Sequence, residues 1–304
     1  MRTNNHTRRH LTSTLAMMGA ALSVSAAASS TCLATDFVTT KVASGLEAPM
    51  GITNAGMYPY VCVTEVPTPG INGDNGGRNR VIAINLADGG ITELNAGEPY
   101  PVNLARASQH LFWTCKSAGV ILHRLPDGTV EHLLDNLNAP SGIFTDGDML
   151  YFTEVPFPGE KNPANRVLSF DGTTMTELVA GEPAPTDITM GSDGSLYWTC
   201  KTAGVIVRYD TAGHLTTVLE DLNSPTGIAS DEMGHIYFTE VPTPGVNGDE
   251  GGFNKIWRYT IDSGMLDLVN EGDPEPTDVT VSPTGSFIAW TCTSAGVIKV
   301  ARPL

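Results

Sequence analysis

Positive charge is scarce in this chain. Lys and Arg number 17 against 33 Asp and Glu, for a net charge of −16 over 304 residues. Such a surface repels nucleic acid and anionic membranes and attracts cations. Helical periodicity is also missing, which disfavours folds built from parallel βαβ units. There is no HExxH, no phosphate-cradling Gly loop and no legible Ser-His-Asp grouping, so the common signatures of zincins, P-loop enzymes and serine hydrolases are absent. Cysteine is sparse and odd in number: Cys32, Cys62, Cys115, Cys200 and Cys292. At least one thiol therefore stays free, and a Cys32–Cys62 bridge is left open.

One apolar run stands out, Leu11 to Ala28, behind Arg2, Arg8 and Arg9 and ending in Ala26-Ala27-Ala28. It is too short and too rich in Ser and Thr for a membrane anchor, and it offers an A-x-A cleavage site. Residues 1–28 are read as a signal peptide, and the protein as secreted or periplasmic with no membrane anchor. Cleavage removes three Arg and no acid, taking the net charge from −16 to −19.

What is present in abundance is repetition. Thr64-Glu65-Val66-Pro67, Thr153-Glu154-Val155-Pro156 and Thr239-Glu240-Val241-Pro242 alternate with Trp113-Thr114-Cys115, Trp198-Thr199-Cys200 and Trp290-Thr291-Cys292. The half-period, roughly 40–50 residues, is the length of one propeller blade. Each unit reads as four short strands bounded by Gly, Pro and Asn turns. The last unit lacks a fourth strand, and Asp36 to Val42 supplies one at the other end of the chain. The pattern predicts an all-β, six-bladed propeller over 36–304, of four-stranded antiparallel blades, closed by its N-terminal strand and carrying a pseudo-threefold alternation of blades. Closure hides strand edges.

Geometry then sorts the candidate residues. Second strands sit about 12 Å from the axis, so the three cysteines of alternate blades lie about 20 Å apart. They cannot share a metal or a disulfide and are read as small buried hydrophobes. Lys116 and Lys201 follow two of them, but adjacent strand residues point to opposite sides. The tryptophans are read as interblade core. Glu65, Glu154 and Glu240 end the second strands, below long loops from Pro67 to Asn79, Pro156 to Asn165 and Pro242 to Asn254. Two of these loops carry Asn-Gly-Asp, at 72–74 and 247–249. Long loops on a rigid scaffold are the usual place for binding. These glutamates are candidate binding residues, with capping of loop N–H groups as the alternative. Asn103, Asp187 and Asp278 begin the inner strands of even units, where odd units have Gly51, Gly142 and Gly227. Oxygen donors converging on the axis suit Ca²⁺ or Mg²⁺, and Glu98, Glu182 and Asp273 add negative potential around the same mouth. No histidine falls at that mouth.

Gly194-Ser195-Leu196-Tyr197-Trp198-Thr199, His235-Ile236-Tyr237-Phe238-Thr239-Glu240 and Asn254-Lys255-Ile256-Trp257-Arg258-Tyr259 resemble the repeats of streptogramin B lyases and the wider NHL-type propellers. That resemblance covers nearly the whole mature chain. It implies metal-assisted opening of a cyclic depsipeptide, with catalytic histidines on the loop face; this chain has none there. The strand layout is also similar to gluconolactonase and senescence-marker propellers. That likeness implies a divalent metal held by inner-strand Glu, Asn and Asp, with an Asp commonly preceding the inner-strand Gly. Here that column reads Met50, Val102, Ser141, Thr186, Thr226 and Thr277, and the acids fall one position later. The leading expectation is an exported, non-catalytic propeller that holds a small ligand, a cation or a protein partner on its long-loop face. The alternative is a metal-dependent lactonase or lyase acting on a cyclic ester at the channel mouth.

Overall fold

The computed structural model describes residues 37–56, 59–67, 78–157, 163–242 and 251–304. The signal-peptide segment, Cys32, both Asn-Gly-Asp sequences and most of the three long loops lie outside these residues. Among the described residues, 24 strands form six four-stranded antiparallel sheets and there is no helix. The chain is a six-bladed propeller. Phe37–Ser44 pairs with Val297–Pro303 and completes the last blade, as the sequence predicts.

Every inner strand begins with proline: Pro49–Asn54, Pro101–Ala107, Pro140–Thr145, Pro185–Met190, Pro225–Ser230 and Pro276–Val281. The first position of a strand tolerates a residue without an N–H. The preceding residue is turned to positive φ in all six blades: Ala48, Tyr100, Ala139, Ala184, Ser224 and Glu275. A left-handed non-glycine corner costs of order 1–3 kcal/mol and persists only when its surroundings hold it. Here a backbone N–H from just beyond the second strand holds it, as in Val66 to Ala48, Lys116 to Tyr100 and Thr293 to Glu275.

A register shift follows within each inner strand. The threonine shared by the Thr-Glu and Trp-Thr-Cys motifs stitches this irregularity. Its hydroxyl accepts an inner-strand N–H of its own blade: Gly51 on Thr64 at 2.8 Å, Asp187 on Thr199 at 3.2 Å, Asp278 on Thr291 at 3.1 Å. The same hydroxyl donates to the next blade, as in Thr114 to the Ser141 carbonyl and Thr199 to the Thr226 carbonyl, both 2.7 Å. One oxygen thus ties two blades. Thr199→Val keeps the shape and strands one buried N–H and one carbonyl, so it is expected to cost about 2–3 kcal/mol in urea unfolding. A loss under about 0.5 kcal/mol would remove the stitch from the account.

The apolar core is distributed as six clusters. Trp113, Trp198 and Trp290 are fully buried in them, as predicted. So are Cys115, Cys200 and Cys292, and the described cysteines are all free thiols.

Candidate functional site

The three inner-strand residues of the even blades meet on the propeller axis. Asn103 Nδ2 donates to Asp187 Oδ1 at 2.7 Å, and Asp187 and Asp278 are close enough to couple electrostatically. All three are buried. Asp187 also accepts the N–H groups of Ile188 and Ile228, each at 2.8 Å. Asp278 accepts those of Val279 and Ile52, again at 2.8 Å. Glycine at the alternating positions makes this convergence possible. A Cβ on Gly142 would lie 2.4 Å from Asp187 Cα, and one on Gly227 would lie 2.5 Å from Asp278 Cα and Oδ1.

Burial dominates the electrostatics of the pair. It raises Asp187 to about 7, against four hydrogen bonds that favour its ionised form. It raises Asp278 well above the carboxylate range, and the Asp187 charge adds to the rise. The pair therefore gives up its first proton only near pH 7 and holds the second above that. Every carboxyl oxygen of the pair accepts a backbone N–H, and Asn103 turns its amide N–H toward Asp187. Among the described residues no group of three or more His, Cys, Asp or Glu is placed to hold a metal ion.

The centre partitions the axis. Above it, where the inner strands begin, lies a cavity of about 330 Å³. Below it lies one of about 440 Å³. Asn103, Asp187 and Asp278 border both cavities, and no histidine lines either. The column Met50, Val102, Ser141, Thr186, Thr226 and Thr277 rings the upper cavity. Strict alternation would turn Thr186 and Asp187 apart, yet both face it because the register shifts between Pro185 and Asp187.

The three acids expected at the upper mouth do not line it, although Glu275 does. Glu98, Glu182 and Asp273 turn inward to the repeat tryptophans, whose indole N–H groups donate to them at 2.9, 3.0 and 2.5 Å. Indoles buried between blades need an acceptor, and these carboxylates supply it. In their place Lys116 and Lys201, from blades 2 and 4, line the cavity. Neither forms an ion pair among the described residues. Burial lowers the pKa of Lys116, and the Lys201 charge lowers it further. The hydroxyls around them are spent on backbone carbonyls: Ser141 on Thr186, Thr186 on Ala184, Thr226 on Ser224. The two ammonium groups, with the hydroxyls of Tyr100 and Thr202, are the side-chain donors left to a ligand. The sequence did carry this signal. Alternation sends each lysine to the side opposite its buried cysteine, but nothing in the sequence shows that the two meet.

Glu65, Glu154 and Glu240 line neither cavity. Each accepts a backbone N–H from the connection before its inner strand, namely Glu47 at 2.7 Å, Asn138 at 2.8 Å and Asn223 at 2.5 Å. The partner is thus the strand-four to strand-one connection, where the sequence pointed to the long loop. Arg80, Arg166 and the Trp257 indole occupy their second oxygens.

No protein-family model matches the chain, and no curated protein sequence matches it. Solved structures do. A streptogramin B lyase aligns at 19% identity over 88% of this chain and 98% of its own, with a TM-score of 0.59. A gluconolactonase from Xanthomonas campestris aligns at 15% identity over 88% and 89%, with a TM-score of 0.68. Regucalcin from Agrobacterium tumefaciens, a calcium-binding protein, aligns at 14% identity over 87% and 93%, with a TM-score of 0.65. At these identities the likeness establishes what the strand order already shows, a shared six-bladed propeller fold.

Proposed function

We propose that this protein is an exported, non-catalytic binding propeller that holds a small anionic ligand in its upper cavity. One observation carries the reading. In a strongly acidic chain, two lysines that form no ion pair among the described residues face one cavity, which Glu275 also lines. Two like charges in a desolvated space are unfavourable until an anion sits between them, and charge-assisted hydrogen bonds then repay the burial. The upper cavity lies on the face that the long loops leave from, which keeps the binding role and its place while exchanging the expected cation for an anion.

The test is calorimetric titration with gluconate, citrate and inorganic phosphate. At least one is expected to bind, and Lys116→Gln and Lys201→Gln should each weaken it by about tenfold or more. Affinity unchanged in both variants, or no binding of any probe, would end the proposal.

A second reading, lactonase or lyase action on a cyclic ester, is favoured by the acid pair. Asp187 at about 7 beside a protonated neighbour has the protonation that proton transfer at neutral pH needs. The absence of histidine from both cavities weighs against it. Turnover of glucono-δ-lactone that Asp187→Asn abolishes, or about one bound divalent ion per chain by elemental analysis, would favour this reading over the first.

A further inference from the structure

A third cavity opens on the lower face, between blades 1 and 2, with a volume of about 680 Å³. It exists because of one residue. Two positions before the motif threonine, blades 2 to 5 carry an aromatic: Phe112, Tyr151, Tyr197 and Tyr237. Blade 1 has Cys62 there and blade 6 has Ala289. Ala289 is sealed inside the cluster between blades 6 and 1. Cys62 instead leaves a groove, floored by Ala83 and Leu94 and flanked by Tyr60 and Pro126.

Two arginines line this groove, Arg106 from the end of an inner strand and Arg124 from the end of a third strand. Both charges act on the Cys62 thiol, though burial outweighs them and raises it to about 11. Cys62 is therefore a spacer and not a nucleophile. Four other strand arginines are matched to acids, Arg80 to Glu65, Arg166 to Glu154, Arg208 to Asp193 and Arg258 to Asp267. Among the described residues Arg106 and Arg124 have no such partner. The Nε of Arg124 is buried with no hydrogen-bond acceptor. Room for the Arg106 guanidinium is kept by Gly56, where a Cβ would lie 1.6 Å from Nη1.

We infer that this groove is a second binding site, for an organic carboxylate with an apolar body. The guanidinium groups take the carboxylate, for which their fork geometry is suited. Leu94, Ala83, Pro126 and the Tyr60 ring take the hydrocarbon. The groove lies on the face opposite the lysines, so it does not rest on the function proposed above.

Octanoate and octanamide are the probes, followed by calorimetry. Octanoate is expected to bind, with octanamide about tenfold weaker or more, because the amide loses the charge that the arginines recognise. Arg124→Gln should weaken octanoate by a similar factor. Cys62→Tyr restores the aromatic of the other blades and should abolish binding by filling the groove, so it decides the matter even if Arg124→Gln fails to fold. Saturating gluconate should leave octanoate binding unchanged. Equal binding of acid and amide, undiminished binding to Cys62→Tyr, or no octanoate binding at millimolar concentration would overturn the assignment.

Discussion

Gly227→Ala is expected to lower the melting temperature by about 6–12 °C, from a cost of about 3 kcal/mol at roughly 2–4 °C per kcal/mol for a domain of this size. The new methyl carbon would sit 2.5 Å from both Asp278 Cα and Oδ1 and 3.0 Å from the Thr277 carbonyl oxygen. None of these atoms can retreat cheaply. Asp278 Cα belongs to a strand hydrogen-bonded to its neighbour, and its carboxyl is pinned by the N–H groups of Ile52 and Val279. Relief requires moving one blade away from the next, and in a closed ring that displacement is passed on. Gly142→Ala should behave alike, since its Cβ would meet Asp187 Cα at 2.4 Å. A melting temperature within about 2 °C of wild type for both would mean that the axis is looser than its geometry implies.

The acid pair makes stability depend on pH with an unusual sign. Asp187 keeps its proton to about pH 7 when folded, whereas an unfolded aspartate releases it near 3.9. Between those values the folded chain binds more protons than the unfolded one, so stability falls as pH rises. The Asp187 contribution is full below about pH 4 and lost as pH passes about 7, a change of about 4 kcal/mol, and Asp278, also raised, extends the decline to higher pH. Surface aspartates run the other way. Turn N–H groups of Thr129, Thr174 and His214 hold Asp127, Asp171 and Asp210 below the usual range, and their stabilisation is lost only in stronger acid. Urea unfolding from pH 4 to 8 should therefore show greatest stability near pH 4–5 and a steady decline above. Asp278→Asn replaces one titrating carboxyl with a neutral amide. It should flatten the decline, while leaving the Ile52 N–H without its acceptor at a cost of about 1–3 kcal/mol. Stability that is flat or rising between pH 5 and 8 in the wild type would show that burial does not hold protons on the pair.

The candidate site was legible in part. Asn103, Asp187 and Asp278 were identifiable because they replace glycine in alternate repeats, a local and countable fact. Their chemistry was not. An estimate from strand spacing left alternate inner strands about 12 Å apart, and only the side chains reaching across the axis bring Asn103 and Asp187 to 2.7 Å. Glu98, Glu182 and Asp273 show the opposite error. A carboxylate in a surface-reading loop looks like surface potential, yet the buried indoles of the second strands claimed all three.

The sequence by itself determined the six-fold count, the strands, the burial of Trp113, Trp198 and Trp290 and the closure by Phe37–Ser44. These follow from short-range alternation, turn residues and spacing, which act within one or two strands. Only the tertiary structure decided that the axis holds a buried acid pair, that Lys116 and Lys201 face one cavity, and that Cys62 leaves a groove beside Arg106 and Arg124. Residues separated by whole blades come together only when the ring closes, and the register shift in every inner strand breaks the alternation that would otherwise foretell where each side chain points.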